Sequence, residues 1–222
     1  SPLIRWTIET AKEVAADNAG GCRVYVTSED SKILDVAEAC GATPHVRPAR
    51  LADDHASMLD VLREFFKTHD DAHDVVLLFP TCPFRSSATL RNALAVFDAG
   101  TMDKPHQSLM SVAEHRGRPF GGVQIFNGKL AFNDMAEAYY QKQSTPPLYF
   151  ANGAIFIVNR HVVDALNTQL FNAATVPFPM SGIENLDIDT PFDLEVARAW
   201  VAAGRAKLAG EPMFALGGMV HA

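Results

Sequence analysis

Strand-like apolar runs alternate with helix-period stretches from residue 3 to residue 112, and this alternation constrains the fold more than any other feature of the chain. Apolar residues at helical spacing over 3–20 end at Gly20-Gly21, a helix stop. The run Arg23-Val24-Tyr25-Val26-Thr27 reads as a buried strand. Asp30 or Ser31 caps a helix over 33–40, closed by Gly41, and a short strand near His45 and Val46 follows. A helix over 57–67 precedes Asp74-Val75-Val76-Leu77-Leu78-Phe79, the strongest strand signal, which Pro80 ends. A helix over 88–97 and a strand over 108–112 complete the series. Such repeats predict an α/β fold with a mostly parallel sheet and helices on both faces.

The middle of the chain breaks this rhythm. Residues 123–132 read as a hairpin, because Asn127-Gly128 supplies the positive φ angles of a tight turn. The pattern resumes with Ala154-Ile155-Phe156-Ile157-Val158, a helix over 161–166 and a last helix over 191–203. With 222 residues and 48% hydrophobic content, the chain suits one domain with a real core. The expected layout is a domain over 1–210, an excursion near 115–150, and a tail over 211–222. Val123, Ile125, Phe126, Leu130 and Phe132 present more apolar surface than one hairpin buries, which predicts a homodimer built on the excursion.

The net charge of −7 argues against a nucleic-acid partner. An anionic ligand then needs local positive charge or a metal. Cys22, Cys40 and Cys82 form no C-x-x-C pair, and an odd count without a framework fits a reducing, cytoplasmic setting. No run approaches the roughly 18 apolar residues of a membrane span, which predicts no membrane partner. No signal peptide is visible. The chain opens on Ser rather than Met, as expected of a stretch that begins inside a longer gene product.

The chemistry concentrates in Ile183-Glu184-Asn185-Leu186-Asp187-Ile188-Asp189-Thr190-Pro191. In an extended strand, side chains at i and i+2 share a face, so Asp187 and Asp189 aim two carboxylates at one point. Mg²⁺ is held by one or two carboxylates, water and substrate phosphates. Helix capping is the alternative; it accounts for Thr190 and Asp193 but leaves Asp187 without a task. Ligands of open α/β sheets bind beyond the carboxyl ends of the strands. Three segments qualify there: residues 47–57, residues 80–85 and the Asp187/Asp189 strand. Arg47 and Arg85 are candidate bidentate holders of phosphate or carboxylate, against the alternative of surface salt bridges.

Five ordered blocks carry a family resemblance. They are Pro2-Leu3-Ile4-x-Trp6-Thr7-Ile8-Glu9, Arg47-Pro48-x-x-Leu51-Ala52-x-Asp54-x-Ala56-Ser57-x-x-Asp60, Pro80-Thr81-Cys82-Pro83-Phe84-Arg85, Asn152-Gly153-Ala154-Ile155-Phe156, and Asp187-Ile188-Asp189-Thr190. Together they resemble the acylneuraminate cytidylyltransferase (CMP-sialic acid synthetase) family, with its pseudaminic and legionaminic acid relatives. The resemblance implies a Rossmann-like three-layer nucleotidyltransferase fold with a dimerisation excursion. It also implies transfer of CMP from CTP to the anomeric hydroxyl of a nine-carbon acidic sugar, with Mg²⁺ on Asp187 and Asp189, the catalytic pair. Arg47 and Ser57 match residues at the cytidine side. Phe79, Arg85, Lys142, Gln143 and Asn152 match the sugar side, the Lys142-Gln143 pair reaching it across the dimer. Phe79 stands where the family usually has Gln, and an aromatic there resembles the pseudaminic acid branch, whereas Asn152-Gly153-Ala154 resembles the sialic acid branch.

Two alternatives stay open at the level of sequence. One is a nucleotidyltransferase for another sugar acid or phosphate; the other is an inactive relative serving as a binding or assembly subunit. The Gly/Arg/Lys-rich phosphate loop and the strand before it, which the resemblance implies, match nothing in residues 1–222. A doubly wound sheet lacking an internal strand leaves backbone groups of two neighbours unpaired, a costly state. The expectation is about 20 or more further residues ahead of Ser1, by analogy with the length of one strand and loop. Without them, a groove between two strands is expected.

Overall fold

The computed structural model describes residues 2–17, 21–53, 56–100, 107–114, 123–126, 129–132 and 147–206. Lys142, Gln143, the Asn127-Gly128 turn, most of the excursion and the tail lie outside the described residues.

Helix α1 (Leu3–Ala16) turns Thr7, Ile8, Thr10 and Val14 inward, the period of a one-faced helix. Strand β1 (Tyr25–Ser28) pairs in parallel with β2 (Thr43–Val46), across helix α2 (Ser31–Ala39). Asp30 starts α2 by accepting the Lys32 amide at 2.8 Å. Helix α3 (Met58–Thr68) leads to β3 (Asp74–Leu77), and helix α4 (Ser87–Asp98) leads to β4 (Ser108–Glu114). A hairpin of β5 (Val123–Phe126) and β6 (Lys129–Phe132) forms its own antiparallel pair in the expected register. Strands β7 (Tyr149–Asn159) and β8 (Val176–Met180) and helix α5 (Pro191–Ala202) complete the described chain.

The larger sheet has the order β3-β7-β4-β8. There β3, β4 and β8 run one way and β7 runs against them. Consecutive residues of β7 face opposite layers. Ile155 and Ile157 meet Val14 of α1 and Leu90, Ala93 and Phe97 of α4. Phe156 and Val158 meet Leu59, Leu62 and Phe66 of α3. The sheet is thus covered on both faces, as the alternation predicts.

Two of these three helices, α1 and α3, also touch the smaller sheet, which α2 covers. Ile8 of α1 packs with Val26, Leu34, Ala37 and Ala42, and Phe65 of α3 stacks edge-on against Tyr25 at 5.3 Å. Between these shared layers, β1 pairs only with β2 and β3 only with β7 among the described residues. Val75, Val76 and Leu77 are correspondingly only half-buried, and the Thr27 hydroxyl is buried with no partner among the described residues.

Three local expectations are corrected. Residues 186–189 are extended coil rather than a strand, lying between a 3-10 turn (Gly182–Asn185) and α5. The helix expected over 161–166 is one 3-10 turn, Val163–Ala165, too short to offset helix nucleation and carrying β-branched Val162 and Val163. Strand β8 has no counterpart in the sequence reading, because Pro177 and Pro179 disguise it. Both prolines are exposed while Val176, Phe178 and Met180 pack on the core, and β8 is the last strand of its sheet, where proline is tolerated.

Tyr25, His45, Phe65 and His69 form one ring cluster joining α3 to the smaller sheet. His45 Nδ1 lies 3.1 Å from His69 Nε2. Burial first, and then the His69 charge, hold His45 below its usual pKa. The unfolded chain therefore takes up this proton before the folded one does. The stabilisation is present above the usual histidine range of about 6.5 and is lost as the pH falls through it. Thermal melts between pH 7.5 and 5 are expected to show a steeper loss for the parent than for His45→Gln; equal slopes refute the assignment.

Candidate active site

The C-terminal ends of β3, β4 and β8 meet the start of β7 at one edge of the sheet. There β7 departs from regular pairing. Met110 faces Phe156 but Val112 faces Ala151, so extra residues of β7 bulge opposite Ser111. Gly153 lies inside the bulge with φ +70°, the left-handed region that glycine enters without strain.

A bulge frees backbone groups, and side chains take them up here. The Ile155 amide donates to the Ser111 hydroxyl at 2.7 Å, and the Ala154 amide to Asn152 Oδ1 at 3.2 Å. Arg85 donates through Nη1 to the Ala154 carbonyl and through Nη2 to the Thr7 hydroxyl at 3.4 Å. The Cys82 thiol faces the Asn152 carbonyl at 3.4 Å. Asn152 is itself saturated: Oδ1 also accepts from Ser111 at 2.5 Å, and Nδ2 donates to Asn185 Oδ1 at 2.7 Å.

The bulge is the floor under Asp187. A Cβ on Gly153 would stand 3.4 Å from Asp187 Oδ2 and 3.7 Å from both Cys82 Sγ and the Phe79 ring. The Cys82 thiol also lies 3.6 Å from Asp187 Oδ1. Burial, and next the Asp187 charge, push the Cys82 pKa up to about 12, so the group is a thiol with a proton to share. Leu186 and Ile188 pack toward Phe84, Ala197 and Trp200, and the Ile188 amide donates to the Thr81 carbonyl at 2.9 Å. Asp187, between them, faces Cys82 and Gly153 instead, and Asp189 is exposed.

Flanking residues fix the segment. Glu184 accepts from the Ser86 amide at 2.9 Å and from the Thr89 hydroxyl at 2.6 Å, placing a carboxylate on the N-terminus of α4. Thr190 and Asp193 form a reciprocal capping box on α5. Capping thus occupies Thr190 and Asp193 and leaves the carboxylates of Asp187 and Asp189 without a cationic partner among the described residues. Those residues hold no cluster of three or more metal-ligating side chains. Two hard oxygen donors still fit a cation that takes its other ligands from water and substrate phosphate.

The nucleotide-side candidates sit on the smaller sheet and on α3. Arg47 follows β2 and pairs with Glu29 at 2.8 Å, while its Nε is buried without a partner among the described residues. Ser57 caps α3: its hydroxyl accepts the Asp60 amide at 3.1 Å and donates to Asp60 Oδ2 at 2.8 Å. Of the sugar-side candidates, Phe79 lies beside Gly153 and stacks edge-on with Phe156 at 5.7 Å. Arg85 and Asn152 are placed differently. Both are buried and committed to the bulge, because its freed carbonyls and amides need donors and acceptors.

The cytidylyltransferase family profile matches residues 1–211 of the chain. The chain belongs to this family. It is 30% identical over 199 residues to an Escherichia coli N-acylneuraminate cytidylyltransferase, covering 88% of this chain and 45% of that protein. A Streptococcus agalactiae N-acylneuraminate cytidylyltransferase is 27% identical over 194 residues, covering 86% of this chain and again 45% of the relative. The CMP-N,N'-diacetyllegionaminic acid synthase of Legionella pneumophila is 31% identical over 201 residues, covering 86% of this chain and 82% of that protein. The chain thus spans about half the length of the first two relatives and most of the third. Among solved structures, a CMP:2-keto-3-deoxy-manno-octonic acid synthetase complexed with CTP superposes with a TM-score of 0.59 at 18% identity, covering 89% of this chain and 88% of that one. That likeness shows a shared Rossmann-like α/β fold.

In this member of the family, three residues of the site carried no distinct signal in the sequence. Ser111 and Asn185 belong to no recognisable motif, and Glu184 is visible only as one more acidic residue near the aspartates. Cys82 lay inside a recognised block, yet its contact with Asp187 spans 105 positions of sequence. Among the described residues, no helix is long and apolar enough to cross a membrane.

Proposed function

We propose that this chain carries the site that transfers CMP from CTP to the anomeric hydroxyl of a nine-carbon acidic sugar, releasing pyrophosphate. The observation that carries the reading is the Asp187 carboxylate, set over Gly153 at the carboxyl edge of the sheet with Asp189 two residues on, neither with a cationic partner among the described residues. Mg²⁺ on this pair supplies charge neutralisation for the phosphates and lowers the pKa of the attacking hydroxyl. Phe79 walls the sugar side beside Gly153, and Arg47 and Ser57 flank the cytidine. Lys142 and Gln143, which lie outside the described residues, are further candidates for the acidic sugar. The names of the relatives, N-acylneuraminate and diacetyllegionaminic acid enzymes, support the sugar class. Three unpaired cysteines agree with a cytoplasmic setting, where CTP is at hand.

Pyrophosphate release from CTP and Mg²⁺, assayed with N-acetylneuraminic, diacetyllegionaminic, pseudaminic and 2-keto-3-deoxy-manno-octonic acids, tests the reading. Release with at least one nine-carbon acid is expected. Release with the eight-carbon acid alone overturns the sugar assignment, and CTP binding without release under any condition favours a binding subunit. The homodimer rests on the excursion that carries β5 and β6. Light scattering at micromolar concentration is expected to give twice the chain mass, and a monomer refutes it.

A further inference from the structure

We propose that Cys82 and the Asn152–Asn185 amide pair are positioning residues for Asp187, orienting its carboxylate for a divalent cation without touching nucleotide or sugar. This rests on the reading of Asp187 as a metal ligand.

Asp187 sits in coil, where an extended backbone alone leaves a side chain free to rotate. Contacts from three directions restrict it here. Behind it, Asn185 accepts from Asn152 and donates through Nδ2 to the Met180 carbonyl at 3.0 Å, so the turn before Asp187 is tied to β7 and to the end of β8. Ahead of it, the Ile188 amide is fastened to Thr81, the residue preceding Cys82. At the carboxylate, the Cys82 thiol faces Oδ1, whereas Oδ2 overlies Gly153 and has no hydrogen-bond partner among the described residues. The two oxygens are therefore unequal: one is engaged by the protein and the other is left for a cation.

The chain of contacts runs from Ser111 in β4 through Asn152 in β7 to Asn185, and every member is at least half-buried. Cys82, with no exposed surface, stands where two acceptors converge, the Asn152 carbonyl and Asp187. A single thiol proton serves both, which couples the bulge to the orientation of the carboxylate. Groups that orient a metal ligand from behind typically change metal affinity by about 10–100-fold when removed. The short side chain at position 82 is thus required as a donor and not only as a filler.

The test measures Mn²⁺ binding to the full chain by electron paramagnetic resonance of the free ion, in parallel with thermal midpoints. Cys82→Val and Asn185→Ala are each expected to weaken Mn²⁺ binding about tenfold or more. Cys82→Ser, which restores a donor, is expected to stay within about threefold of the parent by the same scale. Cys82→Ala repeats the comparison should the valine variant fail to fold. Asp187→Asn is the control and is expected to abolish binding. If Asp187→Asn abolishes binding while folded Cys82→Val, Cys82→Ala and Asn185→Ala all bind as the parent does, the positioning role is refuted and the metal assignment stands. If Asp187→Asn binds Mn²⁺ like the parent, the metal assignment itself falls. A loss in Cys82→Val that Cys82→Ser does not recover also counts against the donor role.

Discussion

Asp189→Asn is expected to lower CMP transfer by roughly two to three orders of magnitude, since a metal clamp supplies several kcal/mol of transition-state charge stabilisation and each 1.4 kcal/mol is tenfold in rate. The amide keeps the shape of the side chain but neutralises no charge on the metal. Its structural cost is small. Asp189 is exposed and its carboxylate has no hydrogen bond among the described residues, while its backbone amide continues to face Asp193 Oδ2 at 3.3 Å. The thermal midpoint should therefore stay at the parent value while turnover collapses. Turnover of CTP at the parent rate by Asp189→Asn would remove the metal assignment.

The second large effect is on stability. Arg85 is 2% exposed, and burial lowers its guanidinium pKa to about 10, which still leaves it charged at neutral pH. No carboxylate lies within salt-bridge distance of it among the described residues. Its partners are the Ala154 carbonyl, freed by the bulge, and Thr7 of α1. Arg85→Ala removes both contacts, leaves a cavity, and strands a buried carbonyl. The expected loss is about 3 kcal/mol, from an unsatisfied buried acceptor plus lost packing. Arg85→Lys is expected to recover less than half of it, because one ammonium cannot reach α1 and β7 in the geometry of the planar fork. Denaturant unfolding gives both values, and a loss below about 1 kcal/mol for Arg85→Ala would show that the bulge holds without it.

The β-bulge also explains why the site was only partly legible in the sequence. Asp187 and Asp189 stand out in the sequence because capping accounts for Thr190 and Asp193 and leaves Asp187 without a task. Thr190 and Asp193 were readable because a capping box is local in sequence. Arg85 and Asn152 match the sugar side only through the family resemblance, and no local pattern points to the contacts they make. Those come from bulge geometry, which brings position 85 to position 154 and position 111 to position 152. Glu184 had the same obscurity, its partners Ser86 and Thr89 lying on a helix nearly a hundred residues earlier.

By itself the sequence determined the alternation of helices and strands, the pairing of β5 with β6 and the capping box that starts α5. Each of these follows from periodicity or from chemistry confined to a few neighbouring residues. Tertiary structure alone decided that β7 runs against its neighbours, that a proline-bearing segment closes the sheet edge as β8, and that the sheet parts between β1 and β3. It also decided that Asp187, Cys82 and Phe79 converge on Gly153. The reason is physical: pairing partners and buried hydrogen bonds are chosen by which distant segments satisfy one another's backbone groups, and no local pattern encodes that choice.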